Sequence, residues 1–371
     1  MYEKTITFLP KLALVLFCLL AIGYILVLGH ALLAPLCFSL LMAMLLLPVS
    51  KFLEQKLRLS FTISNIISVL LMVVVVAAVV FFFANQLSSL WQDWPTLKEK
   101  ANVSYHDLQN WISHTFGVNA QKQLNYLNDS TEKALATSAS IVATTLATLS
   151  STALFISFTL LLTFFVLNYR KNLYHFLISV FKDEHKDNVV AIVNQIQFII
   201  KKYILGLFLE MFLVTLLITI GLTIFGVKYA ILLGLIAGIF NVVPYIGIFT
   251  ALLISCLITF ATAGAGEILF VLALFIGTHA LDANILLPTI VGSKVKINPL
   301  IAFIGIVVGE MIWGISGMFL CIPYLAIIKI ILDRVDSLKP WGSLMGSEGR
   351  EAKKIRLPKL KKKPKVEKPS E

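Results

Sequence analysis

The sequence predicts an all-α polytopic membrane protein of about eight apolar helical segments, two of them broken or re-entrant, with an inverted repeat in the C-terminal half. Three observations carry that prediction. Of 371 residues 58% are hydrophobic and only 14% are charged, against about 25% charged in a soluble domain, and the mean hydropathy is +0.89. The apolar residues gather into runs near the 20 or so needed to cross about 30 Å of hydrocarbon. The formal charge of +11 is concentrated at one end, with eleven Lys or Arg against four acids from Lys339 to Glu371. A soluble enzyme, a nucleic-acid module and a disordered scaffold are excluded.

The first element, residues 1–85, holds three spans: Leu12–Leu28, Leu32–Val49 after a short turn at Gly29-His30, and Ile63–Phe83. The first run has no small-residue cleavage site behind it and reads as a retained helix. Residues 86–139 form an extracytoplasmic helical segment. It carries four Lys against five acids, and Trp91, Trp94 and Trp111 in it serve either as interface anchors or as packing. Residues 140–204 comprise a fourth span, Ser140–Leu167, and a cytoplasmic amphipathic stretch. In that stretch Ile192, Ile196, Ile199 and Tyr203 share one helical face and run into a fifth span, Leu205–Phe225. Lys51, Lys56, Arg58, Arg170, Lys171, Lys182, Lys186, Lys201 and Lys202 flank alternate loops. Such loops lie inside, which puts both termini in the cytoplasm.

Residues 205–335 make up the core. Ala230–Thr262 is one apolar run of about 50 Å as a helix, too long for one span and short for two. It is interrupted at Asn241–Gly247 by Pro244, which disfavours helix before it. Pro299–Val335 repeats the pattern around Gly309–Gly317, and Ile268–Val291 is a span between the two. At an offset of 71 residues Gly234-x-x-x-Gly238 falls on Gly305-x-x-x-Gly309 and Gly206 on Gly277. At the same offset Glu210 lies one residue from Asp282, and Gly247 one from Gly317. If both overlong segments are hairpins, Lys294 and Lys296 lie inside and the halves are inverted, an arrangement found in transporters.

Four ionisable residues sit in apolar segments: Glu210, His279, Asp282 and Glu310. Each costs about 2.5–3.5 kcal/mol at the bilayer centre, so a role in a substrate or ion pathway is the reading. The alternative is structural, with His279 and Asp282, three residues apart, satisfying each other. Asn241, Pro244, Tyr245 and Gly247 at the first break, and Gly314, Ser316 and Gly317 at the second, offer free backbone groups for a solute or cation. The alternative for both is a kink re-satisfied by neighbours. Asn284 and Pro288 belong to the pathway or serve packing alone. The two breaks with Asp282 are expected to form one midplane site. The GxxxG pairs read as close-packing positions, with hairpin arms pressed together. The basic tail, residues 336–371, reads either as solvated or as drawn to anionic lipids.

Cys18, Cys37, Cys256 and Cys321 form no CxxC pair, and no nucleophile elbow, P-loop, HExxH or dinucleotide fingerprint is present. The reading is therefore a non-enzyme with no cofactor, no metal and no nucleic-acid partner, and without ATP chemistry of its own. Three function classes stand: secondary transport of a small polar solute, sodium/proton antiport, and a non-transporting membrane scaffold.

"GIFNVVPYIG" (Gly238–Gly247), "LDANILLPTIVGSKVKINPL" (Leu281–Leu300) and "WGISGMFLCIP" (Trp313–Pro323) in that order resemble the autoinducer-2 exporter family of PerM-like permeases. The similarity covers almost the whole chain. It implies a multi-pass bacterial inner-membrane permease of small solutes, either an exporter of the quorum-sensing signal autoinducer-2 or a sodium/proton antiporter, and a homo-oligomer. The Lys-rich tail departs from the family pattern.

Overall fold

In the computed structural model the described residues are 2–93, 95–100, 103, 138–243, 246–263, 266–292 and 297–346. Pro244, Tyr245, Trp94, Trp111, Lys294, Lys296 and the tail beyond residue 346 lie outside them, as does the side chain of Pro288. The helices in order are α1 (Tyr2–Leu28), α2 (His30–Lys56), α3 (Phe61–Gln92), α4 (Ser138–Asn168), α5 (Arg170–Ser179), α6 (Asp183–Ile224), α7 (Ala230–Phe240), α8 (Ile246–Ala263), α9 (Ile268–Leu281), α10 (Pro299–Arg334) and α11 (Lys339–Met345). No strand occurs among the described residues, and seven helices are long and apolar enough to cross a membrane. The chain is an all-α, multi-pass membrane protein.

Local chemistry sets the ends. The Ser60 hydroxyl accepts from the Ile63 amide to cap α3, and Asn298 accepts from the Leu300 amide ahead of α10, with Pro299 at its first position. Helix α3 runs nine residues past the expected span end at Phe83, because Ala84–Gln92 contains neither Gly nor Pro; Pro95 follows soon after. Helix α6 is continuous over 42 residues, about 63 Å, so its first half projects beyond the bilayer. Asp183 and Glu184 in its first turn suit the helix dipole. It stops where Gly226 adopts φ +67° and the Val227 amide returns to the Leu222 carbonyl.

At one end of α2, α3 and α4, Arg170 donates to Ser50 (2.9 Å), Asn65 (3.0 Å) and Glu54 (2.8 Å). It also stacks over Phe61 at 4.4 Å. A partly buried guanidinium of this kind is favourable because each fork finds an acceptor. The network locks these three helices as a unit, packed around Ala43, Leu46, Val69 and Leu167.

Both overlong segments fold back on themselves. Helices α7 and α8 pack together, the chain turning at 241–243, and a Cβ on Gly247 would stand 1.6 Å from the Phe240 carbonyl oxygen. In α10 the backbone leaves helical values at Trp313 and at Gly314, whose φ +60°, ψ −140° belongs to glycine alone. The chain then reverses. Gly305 faces Cys321 and Gly309 faces Gly317, with a Cβ on Gly317 only 1.9 Å from the Gly309 carbonyl oxygen. The second GxxxG pair therefore does join hairpin arms. The first does not: Gly234 and Gly238 receive Thr215, Thr219 and the Met211 carbonyl of α6, so there the small residues seat the hairpin on a long helix.

The two hairpins open on opposite faces. The first begins beside the C-terminal end of α6 at Lys228, which bonds Asp93 at the end of α3 (2.6 Å). The second begins at Asn298, whose amide donates to the Met345 carbonyl (2.8 Å), and ends at Arg334, bound to Gln195 near the other end of α6 (2.8 Å). We call these the Lys228 face and the Arg334 face.

At the mouth of the first hairpin, Tyr229 holds a left-handed φ of +62°, unusual for a residue with a Cβ. Its hydroxyl donates to Asp93 (2.5 Å) alongside the Lys228 ammonium. Lys228 and then Tyr229 hold the Asp93 carboxyl below the usual carboxylate range, and the bond to Asp93 in turn holds Lys228 above the usual ammonium range. For a lowered carboxylate, the contribution to stability is full above its unfolded value and is lost as pH falls through the folded one. Acidification below about pH 4 is thus expected to loosen residues 226–232, seen as faster amide hydrogen exchange. In Asp93→Asn the exchange should already be fast at neutral pH, with no further acid step. An acid step that survives in the variant would place the titrating group elsewhere.

Candidate functional site

The tip of the first hairpin meets α6 and the end of α9. The amide nitrogen of Asn241 donates to Glu210 Oε1 at 3.2 Å and to Asp282 Oδ2 at 3.4 Å. One side chain thus bridges two carboxyl groups that are 3% and 7% exposed. The other oxygens, Glu210 Oε2 and Asp282 Oδ1, are buried without a hydrogen-bond partner. Two acids with half of their acceptor capacity unused are expensive in so dry a place. A proton or a small cation shared between them would neutralise the pair.

The backbone explains why these three meet. Helix α7 descends α6 antiparallel on its glycines, Gly234 against Thr219 and Gly238 against Met211 and Thr215. Three residues further on, that register delivers Asn241 to Glu210. Helix α9 descends the same side, with Gly221 of α6 against Leu274, and reaches Asp282 beside Glu210. At Asp282 the α-helix widens into a π-helix over Asp282–Gly292, a conformation concentrated at functional sites. Glu210 and Asp282, nearly equivalent by the 71-residue offset, are therefore the two halves of one pair.

The remaining expected residues disperse. Gly247 supports the tip by packing on Phe240. His279 is exposed while Asp282 is buried, so the two do not satisfy each other. Asn284 is exposed and donates to the Ala280 carbonyl of its own helix (2.7 Å). Pro288 lies in the π-helix. Glu310 is exposed on the first arm of α10.

Gly314, Ser316 and Gly317 lie at the second tip, which is not part of the same site. Among the described residues α10 touches neither the first hairpin nor the π-helix, because α6 stands between them. The expectation that both breaks and Asp282 form one midplane site is corrected accordingly. The second tip is instead tied to the N-terminal helices, Trp313 Nε1 donating to the Leu26 carbonyl of α1 (2.9 Å) and Tyr324 to the Cys37 carbonyl (3.0 Å). Two cavities flank it. One of about 450 Å³ is lined by Cys37, Gly305, Gly309, Cys321 and Tyr324, and one of about 830 Å³ by His30, Ser151, Thr152, Trp313 and Ser316.

Sequence reasoning missed Thr219, Ser255 and Thr259, whose hydroxyls are also buried without a hydrogen-bond partner. The four-residue spacing of Ser255 and Thr259 on α8 was the available signal.

The sequence profile described as AI-2E family transporter matches residues 16–337. YrrI of Bacillus subtilis (strain 168), which bears the name of a transport protein, is 34% identical over 108 residues, 29% of this chain and 30% of its own length. PerM of Escherichia coli (strain K12), named as a permease, is 27% identical over 134 residues, 36% and 38% of the two chains. The matched stretches thus span about a third of these relatives.

Proposed function

The chain belongs to the AI-2E transporter family, and from that premise we propose that it is a secondary transporter of a small polar solute, an autoinducer-2-like signal being the exported cargo, driven by an ion gradient and without enzymatic activity. The observation that carries this reading is the buried Glu210–Asn241–Asp282 bridge. A charged pair draws the Asn241 amide strongly, since hydrogen bonds to ionised acceptors are about twice as strong as neutral ones. A proton or cation on the pair weakens that hold and frees the tip of the first hairpin. Ion occupancy and hairpin position are then one equilibrium, the coupling that a secondary transporter needs.

Sodium/proton antiport is the second reading, favoured by the same pair because it sets two buried acids side by side, bridged only through a neutral amide among the described residues. The scaffold alternative leaves that pair without a task. The lysine-flanked loops support an Arg334 face and both termini in the cytoplasm of a bacterial inner membrane. Attraction of the basic tail to anionic lipids and a homo-oligomeric assembly belong to the same proposal.

The test is flux in proteoliposomes holding the full chain, with autoinducer-2, related polyols and sodium offered under an imposed pH gradient. Solute movement that follows the gradient, and falls at least about tenfold in Asn241→Ala, the factor for losing one charge-assisted bond, is expected. A sodium-dependent pH change without any solute would select antiport. Wild-type rates in Asn241→Ala would remove the bridge from the mechanism.

A further inference from the structure

The core holds an unusual set of unpartnered polar atoms. Besides the pair's two free oxygens, the hydroxyls of Thr219 on α6 and of Ser255 and Thr259 on α8 are buried without a hydrogen-bond partner. Ser255 and Thr259 are wholly buried. In membrane helices a serine or threonine hydroxyl ordinarily bonds the carbonyl one turn back, as Thr262 does to Ile258 and Thr223 to Thr219. Those of Ser255 and Thr259 do not. A buried hydroxyl left unpaired is costly, and such groups are normally met by water where the protein leaves them unmet.

Their placement is ordered. Helix α8 climbs from the tip toward the Lys228 face, and Ser255, Thr259 and Thr262 stand at i, i+4 and i+7 on one of its sides. Burial falls along that line, complete at Ser255 and Thr259 and partial at Thr262. Ser255 lies eight residues above Gly247, about 12 Å, while Thr219 on α6 turns its hydroxyl to Gly234 of α7. Below them the helices carry Val214, Ile218 and Ala251, all buried in one apolar cluster with Phe275. The order from the Lys228 face inward is thus hydroxyls, an apolar plug, and then the carboxyl pair.

We infer that the Thr262–Thr259–Ser255 side of α8 lines a hydrated path for protons and small monovalent cations from the Lys228 face toward the Glu210–Asp282 pair. The plug of Val214, Ile218 and Ala251 closes its inner end in this conformation. The inference rests on the reading of the pair as the coupling site. It adds the side from which that site is loaded and the residues that line the way.

Cysteine accessibility tests it. In the full chain with Cys18, Cys37, Cys256 and Cys321 replaced, single cysteines are placed at Ser255, Thr259 and the lipid-exposed Leu257. Lys98→Cys serves as reference for the Lys228 face and Lys339→Cys, exposed just after Arg334, for the other. Right-side-out and inside-out vesicles are treated with a small, positively charged, membrane-impermeant methanethiosulfonate. Thr259→Cys and, more slowly, Ser255→Cys should react from the face marked by Lys98→Cys, and Leu257→Cys should not. No reaction at either position from that face, or equal reaction at Leu257→Cys, overturns the path.

Should the cysteine variants fail to fold, Ser255→Ala with Thr259→Ala should slow flux about five- to tenfold, the factor of one ordinary hydrogen bond, while its ion dependence persists. Unchanged flux overturns the path equally. If the path reacts but Glu210→Gln transports normally, the coupling reading fails and the path stands. If Glu210→Gln is inactive and neither cysteine reacts, the path alone fails.

Discussion

Asp282→Asn is expected to abolish ion-coupled transport while leaving a folded protein. Asparagine keeps the shape of the side chain and can still accept from Asn241, so the contact at 3.4 Å survives in altered form. What is lost is the second negative charge, and with it the reason for the pair to hold a proton or cation. A single buried charge at membrane depth is worth about 2.5–3.5 kcal/mol, which corresponds to roughly 70- to 400-fold in rate or ion affinity. Glu210→Gln should act in the same direction. The double variant should be little worse than either single one, because residues that act as a unit are not additive. Coupled flux at wild-type rates in Asp282→Asn, in a sample that elutes as the wild type does, would sink the site.

Gly317→Ala should disrupt the second hairpin. The added methyl would meet the Gly309 carbonyl oxygen at 1.9 Å and its carbon at 2.6 Å. Both are backbone atoms of a helix, which cannot swing aside as a side chain can. The arms must separate by an ångström or more, and the cost should be at least about 3 kcal/mol, in the range of severe overpacking. A large fall in thermal stability in detergent is the readout. Gly277→Ala is the matched comparison, since its Cβ would meet nothing within 4 Å. There alanine should be neutral or slightly stabilising, as in any helix interior. Similar melting temperatures for the two variants would mean that the arms are not in contact.

The spans and the breaks were legible because hydrocarbon thickness imposes a length on every helix, and overlong runs at 230–262 and 299–335 had to fold back. The pairing of Glu210 with Asp282 was half legible, through the offset that nearly aligns them. Which side of a helix faces protein was not legible. A run such as "ILFVLALFIGTHAL" is apolar all round, so periodicity could not say that His279 points outward and Asp282 inward. The partner of the first GxxxG pair was hidden for a related reason: a glycine pair announces close approach without naming what approaches, and here it is Thr215 and Thr219 of α6. The distance between the two hairpin tips was equally hidden, because it depends on α6 standing between them. The hydroxyls of Ser255 and Thr259 gave no alarm, since serine and threonine are ordinary in membrane helices until their bonds are counted.

The ties between the second hairpin and the N-terminal helices span nearly the whole chain. Trp313 reaches Leu26 and Tyr324 reaches Cys37, each across 287 positions. During synthesis α1 and α2 therefore enter the bilayer long before their partners exist, and even in the finished fold most of Leu9–Leu28 stays exposed. Loop closure across so many residues is slow and comes late. The last hairpin to leave the ribosome is then the piece that fastens the first.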